Sequence, residues 1–220
     1  MNNHLVSSVM GGGGWILHLV FYRIPKNAST SMMNHLGHLN LIKKHEDKFH
    51  KLANQKIYRK FFDPTHAKPD EAYEILGQQL RNYFSFCIVR NPWDRVVSMY
   101  HFTKKHNIYQ IYGYEQDMTF EEFCENLLER KDDDSFLPTH KQVEWTKGIY
   151  PPKEILKFEN LKQDFAKMLQ DYNIGHISPN IPHDNSTNHK NYTEIYTPKT
   201  KKIVANIFEE DVDVFKYTFD

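Results

Sequence analysis

Apolar residues fall along this chain in blocks whose spacing switches between the period of strands and that of helices. Ile16-Leu17-His18-Leu19-Val20-Phe21-Tyr22 is a short apolar run rich in strand formers, and it predicts a buried strand. A polar turn follows, Arg23 to Ser31. Beyond it Met32, Met33, Leu36 and Leu39 recur at helical spacing, so a helix opens near Ser29. Residues 40–62 mix Lys, His and Asn with scattered apolar side chains, and their pattern fixes no element. Pro69 suits the first position of a helix, and Ala72, Ile75, Leu76 and Leu80 give an amphipathic stripe over 69–81. Tyr83-Phe84-Ser85-Phe86-Cys87-Ile88-Val89 predicts a second buried strand, ending at Arg90-Asn91-Pro92-Trp93-Asp94. Val96, Val97, Met99 and Tyr100 carry the next helix to about Lys105.

The second half repeats the alternation. Thr119 with Glu122 forms a capping box before Phe120, Phe123, Leu127 and Leu128. Tyr150-Pro151-Pro152 turns into a third strand over 154–158, and Asn160 is a candidate cap for a helix through Leu161, Phe165, Met168 and Leu169. Residues 175–191 read as loop. Thr197 before Pro198 opens a closing helix with Ile203, Val204, Ile207 and Phe208. Phe215, Tyr217 and Phe219 then alternate, as if to dock the terminus on the core. Strands separated by helices, without repeats, predict an α/β fold: a P-loop-like three-layer sandwich with a central, mainly parallel sheet flanked by helices. At 220 residues one domain is expected over 15–220, after a flexible lead-in, 1–14, that holds Gly11 to Gly14.

A strand feeding a tight turn that opens a helix aims unpaired backbone N–H groups at one point, with the helix dipole behind them. Lys26 adds a point charge there, and Ser29, Thr30 and Ser31 add hydroxyls. The pattern G-x-x-x-x-G-K-[ST] is absent: the turn holds no glycine, and Lys26 precedes the small residues. An ATP- or GTP-hydrolysing P-loop enzyme is thereby disfavoured. Two readings of the turn stand on these residues alone, an anion cradle and a plain polar connection. Arg90 and Ser98 form a second candidate, a guanidinium fork and a hydroxyl suited to a terminal phosphate. The plain alternative is that Asp94 pairs with Arg90 or with Arg95. Both stretches lie at carboxyl ends of predicted strands, where ligands of such sheets bind.

Ile24-Pro25-Lys26-Asn27-Ala28-Ser29-Thr30-Ser31 resembles the 5′-phosphosulfate loop of sulfotransferases that use 3′-phosphoadenosine 5′-phosphosulfate (PAPS), above all the carbohydrate sulfotransferase branch. Phe86 to Tyr100, with Arg90 and Ser98, is similar to the 3′-phosphate motif of the same family. Phe158-Glu159-Asn160-Leu161 resembles its third core segment, Asn185 to Tyr192 its late loop, and Phe208 to Phe219 its ending. The resemblance spans most of 16–219 and is weakest over 40–60 and 105–150. It implies sulfuryl transfer from PAPS to an acceptor hydroxyl, on a saccharide by the branch resembled, and requires no metal. Pro25, Lys26, Asn27, Ala28, Ser29, Thr30 and Ser31 would hold the 5′-phosphosulfate, Arg90 and Ser98 the 3′-phosphate, and His189 and Lys190 would reach cofactor phosphate from the late loop. Lys26 would neutralise charge on the leaving oxygen. His66, in a turn similar to the family's histidine-bearing turn, is the candidate base, ahead of Glu74 and Glu46. Residues 105–150 would build a variable acceptor side, where Tyr109, Tyr112, Tyr114, His140 and Trp145 stack on sugar rings or simply pack. The rival readings are a nucleotide-binding protein of this fold without turnover and a small-molecule kinase.

Charge and composition narrow the field further. Lys+Arg 28 against Asp+Glu 28 leaves no polycationic footprint for nucleic acid. Cys87 and Cys124, the two cysteines, fall within apolar patterns and read as buried thiols rather than a disulfide or metal pair. His35 and His38 share a helix face, but without a nearby Cys or carboxylate partner they read as packing or solvated groups. No apolar run of about 18 residues spans a membrane, and residues 1–14 show no signal-like core, so a soluble, cytoplasmic protein is expected. The sequons at Asn27, Asn185 and Asn191 are discounted, because a glycan at Asn27 would block the loop. Oligomeric state is not legible.

Overall fold

The computed structural model describes residues 6–10, 16–37, 66–109, 116–174, 177–181 and 191–220. In chain order the elements are β1 (Val6–Met10), β2 (Ile16–Tyr22), α1 (Ser29–Gly37), α2 (Pro69–Leu76), β3 (Phe84–Val89), α3 (Pro92–His106), α4 (Phe120–Glu129), β4 (Glu154–Lys157), α5 (Leu161–Asp171), α6 (Pro198–Ile207) and α7 (Glu209–Phe215). They fold into two compact units, residues 1–89 with 144–185, and residues 90–143 with 186–220.

The first unit contains the sheet, ordered β1-β2-β3-β4. β2, β3 and β4 run parallel, with Phe21 opposite Phe86 and Ile88 opposite Leu156, so the mainly parallel α/β fold expected from the alternating pattern is the one observed. β1 pairs antiparallel with β2, Val6 opposite Val20. The lead-in read as flexible therefore contributes a strand. Its Val-Ser-Ser-Val-Met pattern is too short and polar to stand out beside the glycines.

Every residue of β3 is buried, as a central parallel strand requires. Leu19 and Phe21 on β2 and Phe84, Phe86 and Ile88 on β3 point to one face. There they meet Met32, Met33 and Leu36 of α1 and Phe165, Met168 and Leu169 of α5. Phe21 and Phe86 stack with ring centres 4.7 Å apart. The apolar stripe of α1 is thus what ties the turn before it to the sheet. His35, near the end of α1, sits in this layer and donates from Nε2 to the Ser178 carbonyl, 2.7 Å away. His38 lies outside the described residues.

Some boundaries differ from the pattern's prediction. The helix from Pro69 ends at Leu76, because Gly77 turns to a positive φ of 57°, and a 3₁₀ stretch, Gly77–Asn82, completes the predicted length. Asn160 stands at the N-cap of α5 but makes no side-chain capping bond. Instead Asp164 accepts from the Lys157 N–H at 2.9 Å.

In the second unit α4 and α6 pack together, and both capping predictions hold. Thr119 accepts from the Glu122 N–H, and Thr197 from the Thr200 N–H. Lys216 in a left-handed conformation ends α7, a helix where the sequence showed only alternation. The terminus does dock: Phe219 sets its ring edge-on to Trp93, Tyr192 and Tyr196. Cys87 and Cys124 are free and buried. Burial pushes both thiols upward, Cys124 to about 12, so neither is a nucleophile near neutral pH. No helix among the described residues is long and apolar enough to cross a membrane.

Candidate active site

After β2 the chain makes its turn without glycine, yet with two left-handed residues, Lys26 at φ 69° and Ala28 at φ 56°. Side-chain residues pay roughly 1–2 kcal/mol each for that conformation. Strain of this kind persists where the surroundings impose it, and it gathers at ligand clamps. Asn27, only 1% exposed, holds the turn in place: its Nδ2 donates to the Ile88 carbonyl, 2.7 Å away, and pins the loop to the end of strand β3. Its backbone N–H points inward as well, to the Ile24 carbonyl at 3.4 Å. Asn27 is thus the anchor of the loop, and the sequon there is closed to a glycan.

The first helical bond of α1 runs from the Met32 N–H to the Ala28 carbonyl, 2.9 Å. Ala28 is therefore the cap residue, and the N–H groups of Ser29, Thr30 and Ser31 have no carbonyl within the helix to meet. Left-handed turns of this kind make concave nests of N–H groups for anions, and the helix dipole favours negative charge at the same place. Ser29 and Ser31 are buried, Thr30 is exposed, and Lys26 is half-buried. Residues 23–31 contain no carboxylate to oppose an anion. These donors are of the kind that suits a phosphate or sulfate group.

The strain gives a first prediction. Ala28→Gly should raise unfolding stability by about 1 kcal/mol, since relief of left-handed strain exceeds the roughly 0.4–1 kcal/mol lost to a freer unfolded chain. Urea unfolding measures it, and a lower midpoint would mean that the loop stores no strain.

His66 meets the loop at its root. Its Nδ1 lies 2.7 Å from the Arg23 carbonyl, at the root of the turn. A carbonyl can only accept, so Nδ1 carries the proton, and the neutral ring holds its lone pair on Nε2. The indole Nε1 of Trp145 donates to the His66 carbonyl at 2.9 Å and fixes the backbone beneath the ring. Trp145 is fully buried, so of its two readings packing is correct. Tyr109 is buried too, and His140 hydrogen-bonds the Asp134 carbonyl through Nε2. Glu74 is exposed on α2. Glu46, Tyr112, Tyr114, His189 and Lys190 lie outside the described residues.

In the second unit Arg90 follows β3 directly and is 7% exposed, as is Ser98 two turns into α3. Asp94 pairs with the Arg90 Nε at 2.7 Å, the ion pair that the sequence offered as the plain alternative. Asn91 caps α3 by accepting from the Trp93 N–H and donates to the Thr218 carbonyl, 2.8 Å away. Arg95 is wholly buried, donates to the His140 carbonyl at 3.0 Å and lies over the Phe208 ring. Sequence reasoning missed the residues behind Arg90, Gln142 and Asp211. A lone Gln and an Asp 69 positions apart carry no local signal.

A search of curated proteins finds no sequence match. The profile of the Sulfotransferase family matches residues 17–218, nearly the whole chain. Among solved structures, mouse sulfotransferase SULT7A1 complexed with PAP is similar in fold, with a TM-score of 0.57 at 15% identity, over 91% of this chain and 88% of that one.

Proposed function

This chain belongs to the sulfotransferase family, and from that premise we propose that it carries the sulfuryl group of PAPS to an acceptor hydroxyl, that of a saccharide. The observation that carries the reading is the strained loop of Lys26 and Ala28 with His66 bonded to its root. Helix N–H groups and an imidazole with a defined tautomer belong to the same turn, which supports reading His66 as the base. The mouse relative is complexed with PAP, the bisphosphate that such a transfer leaves behind. For the saccharide, the support is the loop's resemblance to the carbohydrate branch. Residues 105–150 form the acceptor side in this proposal, and His189 and Lys190 meet cofactor phosphate from the late loop.

Bound PAPS would supply an activated sulfur joined to a phosphate leaving group. The chain's task is then positioning and charge stabilisation, as in phosphoryl transfer. The N–H groups and hydroxyls of Ser29, Thr30 and Ser31 hold the 5′-phosphate, and Pro25 and Asn27 keep the turn closed beneath it. Arg90 and Ser98 take the 3′-phosphate. Nε2 of His66 would take the proton of the acceptor hydroxyl as it attacks, and Lys26 would balance the negative charge left on the departing phosphate oxygen.

Calorimetric titration with 3′,5′-bisphosphoadenosine (PAP), 5′-AMP and Mg-ATP tests this. PAP should bind best, and Arg90→Ala should weaken it about 10- to 100-fold while leaving 5′-AMP unchanged, the loss expected for a bond to a charged group. Tighter binding of Mg-ATP would overturn the proposal in favour of a kinase, and no nucleotide binding would point to a scaffold.

A further inference from the structure

We infer that Gln142 is a positioning residue for the 3′-phosphate grip: its buried amide brackets the backbone of Arg90 and sets where the guanidinium stands. The inference rests on the role proposed for Arg90.

The Arg90 N–H donates to Gln142 Oε1 at 2.9 Å, and Gln142 Nε2 donates to the Arg90 carbonyl at 2.8 Å. Both peptide groups of one residue are thus held by one side chain, the exchange that a neighbouring strand makes in a ladder. Gln142 itself is fully buried. Its backbone N–H and that of Val143 donate to the two carboxylate oxygens of Asp211, at 2.9 and 3.0 Å, and Asp211 is also fully buried. Support therefore runs in one line, from Asp211 through the 142–143 backbone and the Gln142 amide to the main chain of Arg90. Asp94 holds the other end of the same residue, at Nε.

A guanidinium that must meet a phosphate bidentately needs its direction fixed, and Arg90 is fixed at both ends. Buried peptide groups need partners in any fold. Here the partner is a side chain, at the residue that carries the guanidinium, and it is anchored in turn by a buried carboxylate. Around metal ligands, contacts that support a binding side chain in this way typically cost about 10- to 100-fold in affinity when lost, and a loss near the lower end is expected here.

PAP and 5′-AMP are titrated into the wild-type protein, Gln142→Met, Gln142→Glu, Arg90→Ala and the double variant Arg90→Ala with Gln142→Met. Gln142→Met should lower PAP affinity about tenfold, leave 5′-AMP within about twofold, and add less than about twofold once Arg90 is gone. Gln142→Glu keeps the acceptor for the Arg90 N–H but sets a carboxylate oxygen against the Arg90 carbonyl. It should show the same selective loss, and it carries the test if the Met variant fails to fold. Equal losses for both nucleotides, no loss for PAP, or additive effects with Arg90→Ala would overturn the inference. If Arg90→Ala leaves the PAP-to-AMP ratio unchanged, the Arg90 assignment falls and this inference with it. A silent Gln142 beside a sensitive Arg90 refutes the inference alone.

Discussion

Lys26→Ala is expected to lower kcat by about 10²–10³-fold, while PAP affinity falls by no more than about tenfold. The difference lies in when the charge appears. Bridging oxygen gains negative charge as the S–O bond breaks, and a fixed cation there stabilises the transition state more than the ground state. Removing one such donor from a preorganised site typically costs about 10²–10³ in rate. Lys26 is fixed by its own backbone: the left-handed φ of 69° and the Asn27 anchor beside it set the start of the side chain. Lys26→Arg keeps the charge but changes a compact ammonium into a planar fork, so it should restore only part of the rate. Steady-state transfer from PAPS to a sugar acceptor found by screening, beside PAP calorimetry, separates the two effects. An unchanged kcat in Lys26→Ala would take Lys26 out of the chemistry.

Periodicity located β2, α1, β3, α3, α4 and β4 within a residue or two because each buries an apolar face on a regular element. Local chemistry located the caps at Thr119, Thr197 and Pro198 for a similar reason, since a cap acts within three residues. The loop was legible in outline through the order of strand, turn and helix. Its mechanism was not. Lys and Ala give no sequence sign of a positive φ, and the bond that holds the turn in place spans 61 positions, from Asn27 to the Ile88 carbonyl. The support behind Arg90 was hidden in the same way: Gln142 and Asp211 act across 52 and 69 positions. Trp145 shows the opposite failure. An aromatic in a variable segment resembles a sugar platform, but complete burial and the bond to the His66 carbonyl make it part of the scaffold.

His66→Ala should cut turnover at least tenfold, and by about 10²–10⁴-fold if proton transfer limits the rate, with PAP binding nearly intact. Alanine alone does not separate two roles, because it also removes the bond from Nδ1 to the Arg23 carbonyl at the root of the loop. Asn separates them. Its amide nitrogen sits about where Nδ1 does and can still donate to Arg23, but nothing in Asn corresponds to Nε2. If His66 is the base, His66→Asn binds PAP like the wild type and is as slow as His66→Ala. Should His66→Asn recover most of the wild-type rate, His66 serves the loop and not the proton, and the base must be sought elsewhere. Unchanged turnover in His66→Ala would remove the residue from both roles.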